Sequence, residues 1–131
     1  MKEKIRNIGV KVSLPSEKSS KDKHDPFFGS LGLRGKMLVG KVISAKAQRT
    51  AKIEFMRLFP IKKYERFEKR RTRLMVHNPD SINAKEGDMV KVMECRPISK
   101  TKNFVIIEKI KWRQYKQESQ KAYSTILLLR L

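Results

Sequence analysis

With 131 residues, 32 Lys or Arg against 13 Asp or Glu, a net charge of +19 and a pI near 10.4, the chain suits one domain with tails and repels itself when alone. A polyanion relieves such repulsion best, so nucleic acid is the first expected partner, ahead of an anionic lipid surface or charge kept for solubility. A single cysteine, Cys95, excludes an internal disulfide and suits a reducing compartment, no apolar run reaches the ~18 residues of a membrane span, and Met1 to Val12 has no signal-peptide core, so a cytoplasmic protein is expected.

Residues 1–33 are expected to form an extended arm without regular structure until bound, because serines, Pro15, Pro26 and lysines interrupt every short apolar piece. Two anchors stand out, Arg6-Asn7-Ile8-Gly9-Val10 and Asp25-Pro26-Phe27-Phe28-Gly29, which pair apolar side chains with turn residues. His24 stands alone in the sequence and reads as a polar surface residue rather than a ligand.

The run Gly35 to Ile43 is the first predicted strand, with Gly40 marking a bulge or bend of the kind a small barrel needs to close. Ser44 to Thr50 is a polar turn bearing Lys46 and Arg49. Ala51 to Leu58 alternates as a half-buried strand, which Pro60 is expected to end. Lys62 to Arg73 gathers seven Lys or Arg around Tyr64 and Phe67 against Glu65 and Glu68. Two readings stand: a loop that contacts RNA, or a solvated helical face, since Glu65 and Lys69 are four apart. The first is preferred because so many cations repel one another unless phosphate is near.

Thr72 to Val76 reads as a strand, broken by His77-Asn78-Pro79-Asp80. His77 has no second histidine, nucleophile or carboxylate pair nearby in the sequence, so it is structural or RNA-contacting rather than catalytic. Ala84 to Asp88 is a turn into a strand in which Val90 and Val92 alternate with Met89, Lys91 and Met93. Pro97 forces that strand to stop, so Arg96 to Thr101 leaves the sheet as a basic loop with hydroxyls, and Phe104 to Ile110 resumes as the last strand. After Ile110 the pattern changes. Lys111 to Lys121 reads as a helix continuing toward Ser124, and Ile126 to Leu131 is an apolar end piece that either folds back on the barrel or docks on RNA or a neighbouring protein.

Five strands without a helix long enough for a parallel crossover predict an all-β, antiparallel sheet closed on itself. The oligonucleotide-binding barrel is the five-stranded solution of that kind. The expected division is an arm over 1–33, a barrel over 34–110 and a C-terminal extension, predicted helical, over 111–131. So small a core buries only about 60% of what its unfolded chain exposes, and a partner is expected to add working stability.

Gly87, Asp88, Val90, Val92, Glu94, Arg96, Pro97, Ile98 and Ser99 fall at the spacing of the signature of ribosomal small-subunit protein seventeen, nine positions within thirteen residues. Lys46, Thr50, the run from Lys63 to Arg73, His77-Asn78-Pro79, Ala84-Lys85 and both arm anchors resemble the archaeal and eukaryotic branch of that family. The resemblance covers roughly Arg6 to Ile110. Some relatives carry Cys and His around the second anchor. Asp25 and Phe28 leave no such set here, so no zinc and no other cofactor is expected. Ala45 stands where many relatives have Asp before Lys46.

The resemblance implies an early-assembling, non-enzymatic protein whose loops wedge between helices of small-subunit RNA. Its expected partners are that RNA and neighbouring ribosomal proteins rather than a membrane or a second copy of the chain. The expected RNA-binding residues are Arg6, Asn7, Arg34, Lys46, Arg49, Thr50, Lys62, Lys63, Tyr64, Arg66, Lys69, Arg70, Arg71, Arg73, His77, Asn78, Arg96, Ser99, Lys100, Thr101 and Lys102. The cations would neutralise phosphate, Thr50, Ser99 and Thr101 would bond phosphate or the 2′-hydroxyl, and Tyr64 or Phe67 would stack on an unpaired base. A free-standing barrel for single-stranded or transfer RNA is the alternative, but it calls for aromatics on the sheet face where these strands offer aliphatics. An enzyme is disfavoured, since carboxylates lie scattered among cations and no glycine-rich phosphate loop occurs.

Overall fold

The computed structural model describes residues 5–15, 22–111 and 113. Five strands, β1 (Leu33–Ser44), β2 (Thr50–Ile61), β3 (Arg66–His77), β4 (Met89–Cys95) and β5 (Lys102–Ile110), close into a barrel in the order β1-β2-β3-β5-β4. Four of the seams are antiparallel. The fifth, β3 to β5, is parallel, because the chain passes through β4 on the far side of the barrel before β5 returns beside β3. The expected oligonucleotide-binding barrel is therefore present, with one parallel seam that local patterning could not reveal.

Strand alternation builds the core: Val42, Ala51, Ile53, Val76, Val90, Val92 and Ile106 point inward and are buried together with Ala84 from the β3–β4 connection. Gly40 does not mark a bulge, since it pairs regularly with Val90 and the register shifts of β1 fall on either side of it, between Leu33 and Met37 against β4 and between Val42 and Ser44 against β2. Its role is a close approach. A Cβ there would lie 3.0 Å from the backbone oxygen of Glu54 on β2.

Pro60 does not end β2, and Lys62 to Arg73 is not a loop. Pairing runs without a slip from Thr50 opposite His77 to Ile61 opposite Arg66, joined by one 3-10 turn over Lys62–Tyr64 and by Glu65 in the left-handed conformation at φ 49°. β1 reaches β2 only near Lys52 to Glu54, and β5 reaches β3 only near Met75 to His77. From Phe55 opposite Thr72 outward the two strands form a ribbon with both edges open, extending about 20 Å at ~3.4 Å per residue. An open edge tolerates a residue that has no N–H to donate, which is why the proline stays within the strand.

β1 begins at Leu33, the last residue of the expected arm; up to Gly32 the described parts carry no helix or strand, yet they are packed rather than loose. Leu31 joins Met93, Cys95, Val105 and Ile107 in a second buried cluster, with Ile8, Val10 and Val12 against it. Arg6 N–H donates to Phe27 O at 3.0 Å, and Arg6 Nη1 donates to Leu31 O at 3.2 Å. Asp25 is fully buried, and its Oδ1 accepts from the amides of Phe27 (2.8 Å) and Phe28 (3.3 Å), so the Asp-Pro-Phe-Phe anchor is a capped turn inside the fold. Ser13 donates through both its amide (3.1 Å) and its hydroxyl to Glu108 on β5. Burial alone would raise the Glu108 carboxyl, but the Ser13 bonds and Lys91 hold it below the usual value. The helix expected from Lys111 and the apolar end piece lie, apart from Lys111 and Arg113, outside the described residues.

Candidate nucleic-acid interface

The basic residues gather first on the ribbon. Between Phe55 and Arg73 the chain carries eight Lys or Arg and two Glu. Residues directly opposite in an antiparallel pair share a face, so the register sorts the ribbon into two sides. One continues the outer surface of the barrel and carries the pairs Glu54/Arg73, Met56/Arg71, Leu58/Lys69 and Pro60/Phe67. The other continues the core face of Ile53 and Leu74 and carries Phe55/Thr72, Arg57/Arg70, Phe59/Glu68 and Ile61/Arg66.

Among the described residues few of these charges are neutralised. Arg73 Nε donates to Glu54 at 2.9 Å, and Arg70 Nε donates to Glu68 at 2.8 Å with its guanidinium carbon 4.0 Å from the Phe59 ring centre. At the tip Lys63 sits over the Tyr64 ring at 5.4 Å. Arg57 faces Arg70 directly, a like-charge pair that weakens a ribbon unless an anion lies across it. Arg57 is absent from the residues expected at the interface because Pro60 reads as the end of its strand; the signal that would have found it is continued alternation past that proline.

A second cationic group lies in the β4–β5 loop. Arg96 and Lys100 are exposed, and Ser99 Oγ accepts from the amides of Thr101 (3.4 Å) and Lys102 (3.2 Å), so this hydroxyl shapes the loop and keeps only its own proton for a partner. Arg34 and Arg96 flank an open cleft of about 570 Å³ between the start of β1 and the end of β4. Because β5 runs parallel to β3, this loop lies at the end of the barrel from which the ribbon projects, and the β1–β2 turn with Lys46 lies at the other. Lys102 Nζ nonetheless reaches Thr50 Oγ1 at 3.2 Å, tying the start of β5 to the start of β2. Arg49, at φ 51°, donates from Nε (2.9 Å) and Nη2 (2.8 Å) to Asp80, a bond that raises its already high pKa.

Two residues expected at the interface, His77 and Asn78, are buried inside the fold, while Arg6 and Asn7 stay exposed and each gives one polar group to a bond within the arm. His77 is only 3% exposed and bonds Asp22. Asn78 is buried, donating to Ala84 O and accepting from Ala84 N, each at 3.0 Å, which closes the loop before β4. Arg6 holds the arm, and Asn7 Oδ1 accepts from Gly9 N at 2.9 Å to form its turn. His24 does not stand alone: its ring lies 5.7 Å from that of His77, and its Nδ1 is 3.9 Å from Asp22. Sequence distance hid this cluster, since Asp22 and His77 are 55 positions apart. Among the described residues no group of three or more His, Cys, Asp or Glu is arranged to hold a metal ion. Cys95 is buried, and burial pushes its thiol above the usual value, the reverse of a reactive thiolate.

The arrangement is a small barrel with cationic projections, a shape known for binding oligonucleotides through the β2–β3 face and the β1–β2 and β4–β5 loops. The model of one protein family, described as Ribosomal protein S17, matches residues 40–108, from β1 almost to the end of β5. Curated relatives agree. Small ribosomal subunit protein uS17 of Methanocaldococcus jannaschii is 52% identical over 105 residues, which is 80% of this chain and 89% of that protein. Its counterpart in Methanococcus maripaludis is 53% identical over 105 residues, 80% of this chain and 95% of that protein. The one in Methanocorpusculum labreanum is 44% identical over 106 residues, 81% and 97% respectively. The family model covers more than half of the chain and these relatives about four-fifths of it, and on that ground the chain belongs to the ribosomal protein S17 family.

Proposed function

We propose that this protein is a structural component of the small ribosomal subunit that binds small-subunit RNA and neighbouring ribosomal proteins and holds RNA helices together during assembly. The observation that carries this reading is the ribbon, with eight cations against two acids on a projection that leaves the barrel. RNA phosphate matches such a surface because each cation that meets it releases a condensed counterion. Lys62, Lys63, Arg66, Lys69, Arg70, Arg71 and Arg73 are its phosphate-binding side chains, joined by Arg57. Arg34, Arg96, Lys100 and Lys102 serve a second RNA segment, and Lys46, Arg49 and Thr50 a third. Recognition is by shape and backbone, since the deep groove of an RNA helix is closed to side chains. The division of labour follows the chain: the arm and barrel supply the rigid body, and the projections reach the RNA.

The names of the relatives support this placement. Two measurements test it. In a moderate-salt gradient the protein should travel with small subunits; running free would favour a free-standing binder of single-stranded RNA. Arg70→Glu with Arg71→Glu should lower affinity for small-subunit RNA and flatten its salt dependence by roughly 0.7 to 0.9 for each phosphate left without its cation. An unchanged slope would remove the ribbon from the interface.

A further inference from the structure

The outer face of the ribbon presents Met56, Leu58 and Phe67 at 64%, 62% and 71% exposure, more apolar surface than a phosphate-binding ribbon requires. Among the described residues none of the three packs against either buried cluster. Their neighbours identify what covers them. Met56 stands directly opposite Arg71 and Leu58 directly opposite Lys69, while Phe67 lies two residues from Lys69 on the same face. Cross-strand side chains stand ~5 Å apart, so every apolar group has a cation at its side. The centre of a protein–protein interface is depleted of charge, and Lys there is disfavoured. A nucleic-acid strand offers the opposite combination, a flat apolar base with phosphate beside it.

We propose that the two faces of the ribbon meet different parts of one RNA: Phe67, Leu58 and Met56 on the outer face take the faces of unpaired bases, and Arg57 and Arg70 on the inner face take phosphate. This rests on the RNA-binding reading above and adds a separation it does not contain. Arg70 is held over Phe59 with its Nε spent on Glu68, so its terminal Nη groups are what meet an anion jointly with Arg57. On the outer face Lys69 and Arg71 hold the phosphates of the same strand whose bases lie on Phe67, Leu58 and Met56.

The test compares the full chain with Met56→Ser/Leu58→Ser/Phe67→Ser and with Arg57→Gln/Arg70→Gln, titrating the source organism's full-length small-subunit RNA at several salt concentrations. All five side chains are exposed, so thermal unfolding of both variants should match the parent. The triple serine variant should bind more weakly at every salt by roughly 5- to 150-fold for each base that no longer stacks, at a tenfold change per 1.4 kcal/mol, with the salt slope unchanged. The arginine variant should show a shallower slope. Phe67→Leu, which keeps apolar area but no ring, should weaken binding, whereas Phe67→Trp should hold or strengthen it. The serine variant keeps every cation, so a shallower slope for it would mean that Met56, Leu58 and Phe67 support phosphate contacts instead of stacking on bases, and would overturn the proposal. Undiminished binding to naked RNA, combined with loss from assembled subunits, would assign that face to a protein and also overturn it. Failure of the unaltered chain to bind the RNA would take down the RNA-binding reading itself and this inference with it.

Discussion

His77 Nε2 lies 2.8 Å from Asp22 Oδ2, with both side chains almost wholly buried, so the last residue of β3 is joined to the arm by a bond no solvent reaches. Asp22 also accepts from the His24 amide at 3.0 Å and has Arg49 Nη1 at 4.0 Å, while His77 has the charges of Lys102 and His24 near it. This small polar knot ties together the arm, the start of β2 and the end of β3.

Acid should loosen the knot. Burial lowers the His77 imidazole, outweighing the pull of Asp22 in the other direction. Burial alone would raise the Asp22 carboxyl, but the His24 amide, His77 and Arg49 together hold it below its usual value. Both groups bind protons more readily unfolded than folded, so stability rises with pH. The His77 contribution is complete above about pH 6.5 and fades as pH falls through its lowered value; that of Asp22 is complete above about pH 4 and fades below it. Thermal midpoints should be level above about pH 7 and decline below about pH 6. His77→Gln, which can still donate to Asp22, should flatten the decline between about pH 6.5 and 5, and an unaltered decline would place the sensitivity elsewhere.

Leu31 should count as core although it lies in the arm. It is 1% exposed against Met93, Val105 and Ile107. Leu31→Ala should cost about 3 kcal/mol, similar to Ile106→Ala inside the barrel, read as a lower urea midpoint at constant m value. A cost under about 0.5 kcal/mol would return the arm to the loose segment that its composition suggests.

Gly29→Ala should destabilise by about 2 to 3 kcal/mol through overpacking. A Cβ at that position would meet the backbone oxygens of Asp25 at 2.6 Å, Lys23 at 2.7 Å and Asp22 at 2.9 Å, none of which can swing aside as a side chain does. The same unfolding measurement checks it, with Gly32→Ala, where nothing lies within 4 Å, as the control.

Arg57→Gln should separate function from stability. Relief of the like-charge pair with Arg70 should leave the free protein as stable or slightly more so at low salt, while the slope of RNA affinity against salt falls by about 0.7 to 0.9. Loss of thermal stability would mean the guanidinium holds the ribbon together.

Period-two alternation at Val90 and Val92, the stop at Pro97 and the β-branched run from Val105 to Ile107 were enough to reveal the strands, and the charge was enough to reveal the partner class. The signature from Gly87 to Ser99 carried the family. These are local features, borne by residues adjacent in the chain.

What the chain order could not express is which strands become neighbours and which polar residues are consumed by the fold. The parallel β3–β5 seam, the continuation of β2 through Pro60 and the pairing of Arg57 with Arg70 all depend on strands reached after a reversal or a crossover. The same holds for His77 and Asn78, whose polar atoms are turned inward by partners up to 55 positions away. Composition and periodicity sum over neighbours along the chain and so determined class, charge and core. Burial and register are properties of the closed barrel, and only its closure decided which cations remain free for RNA.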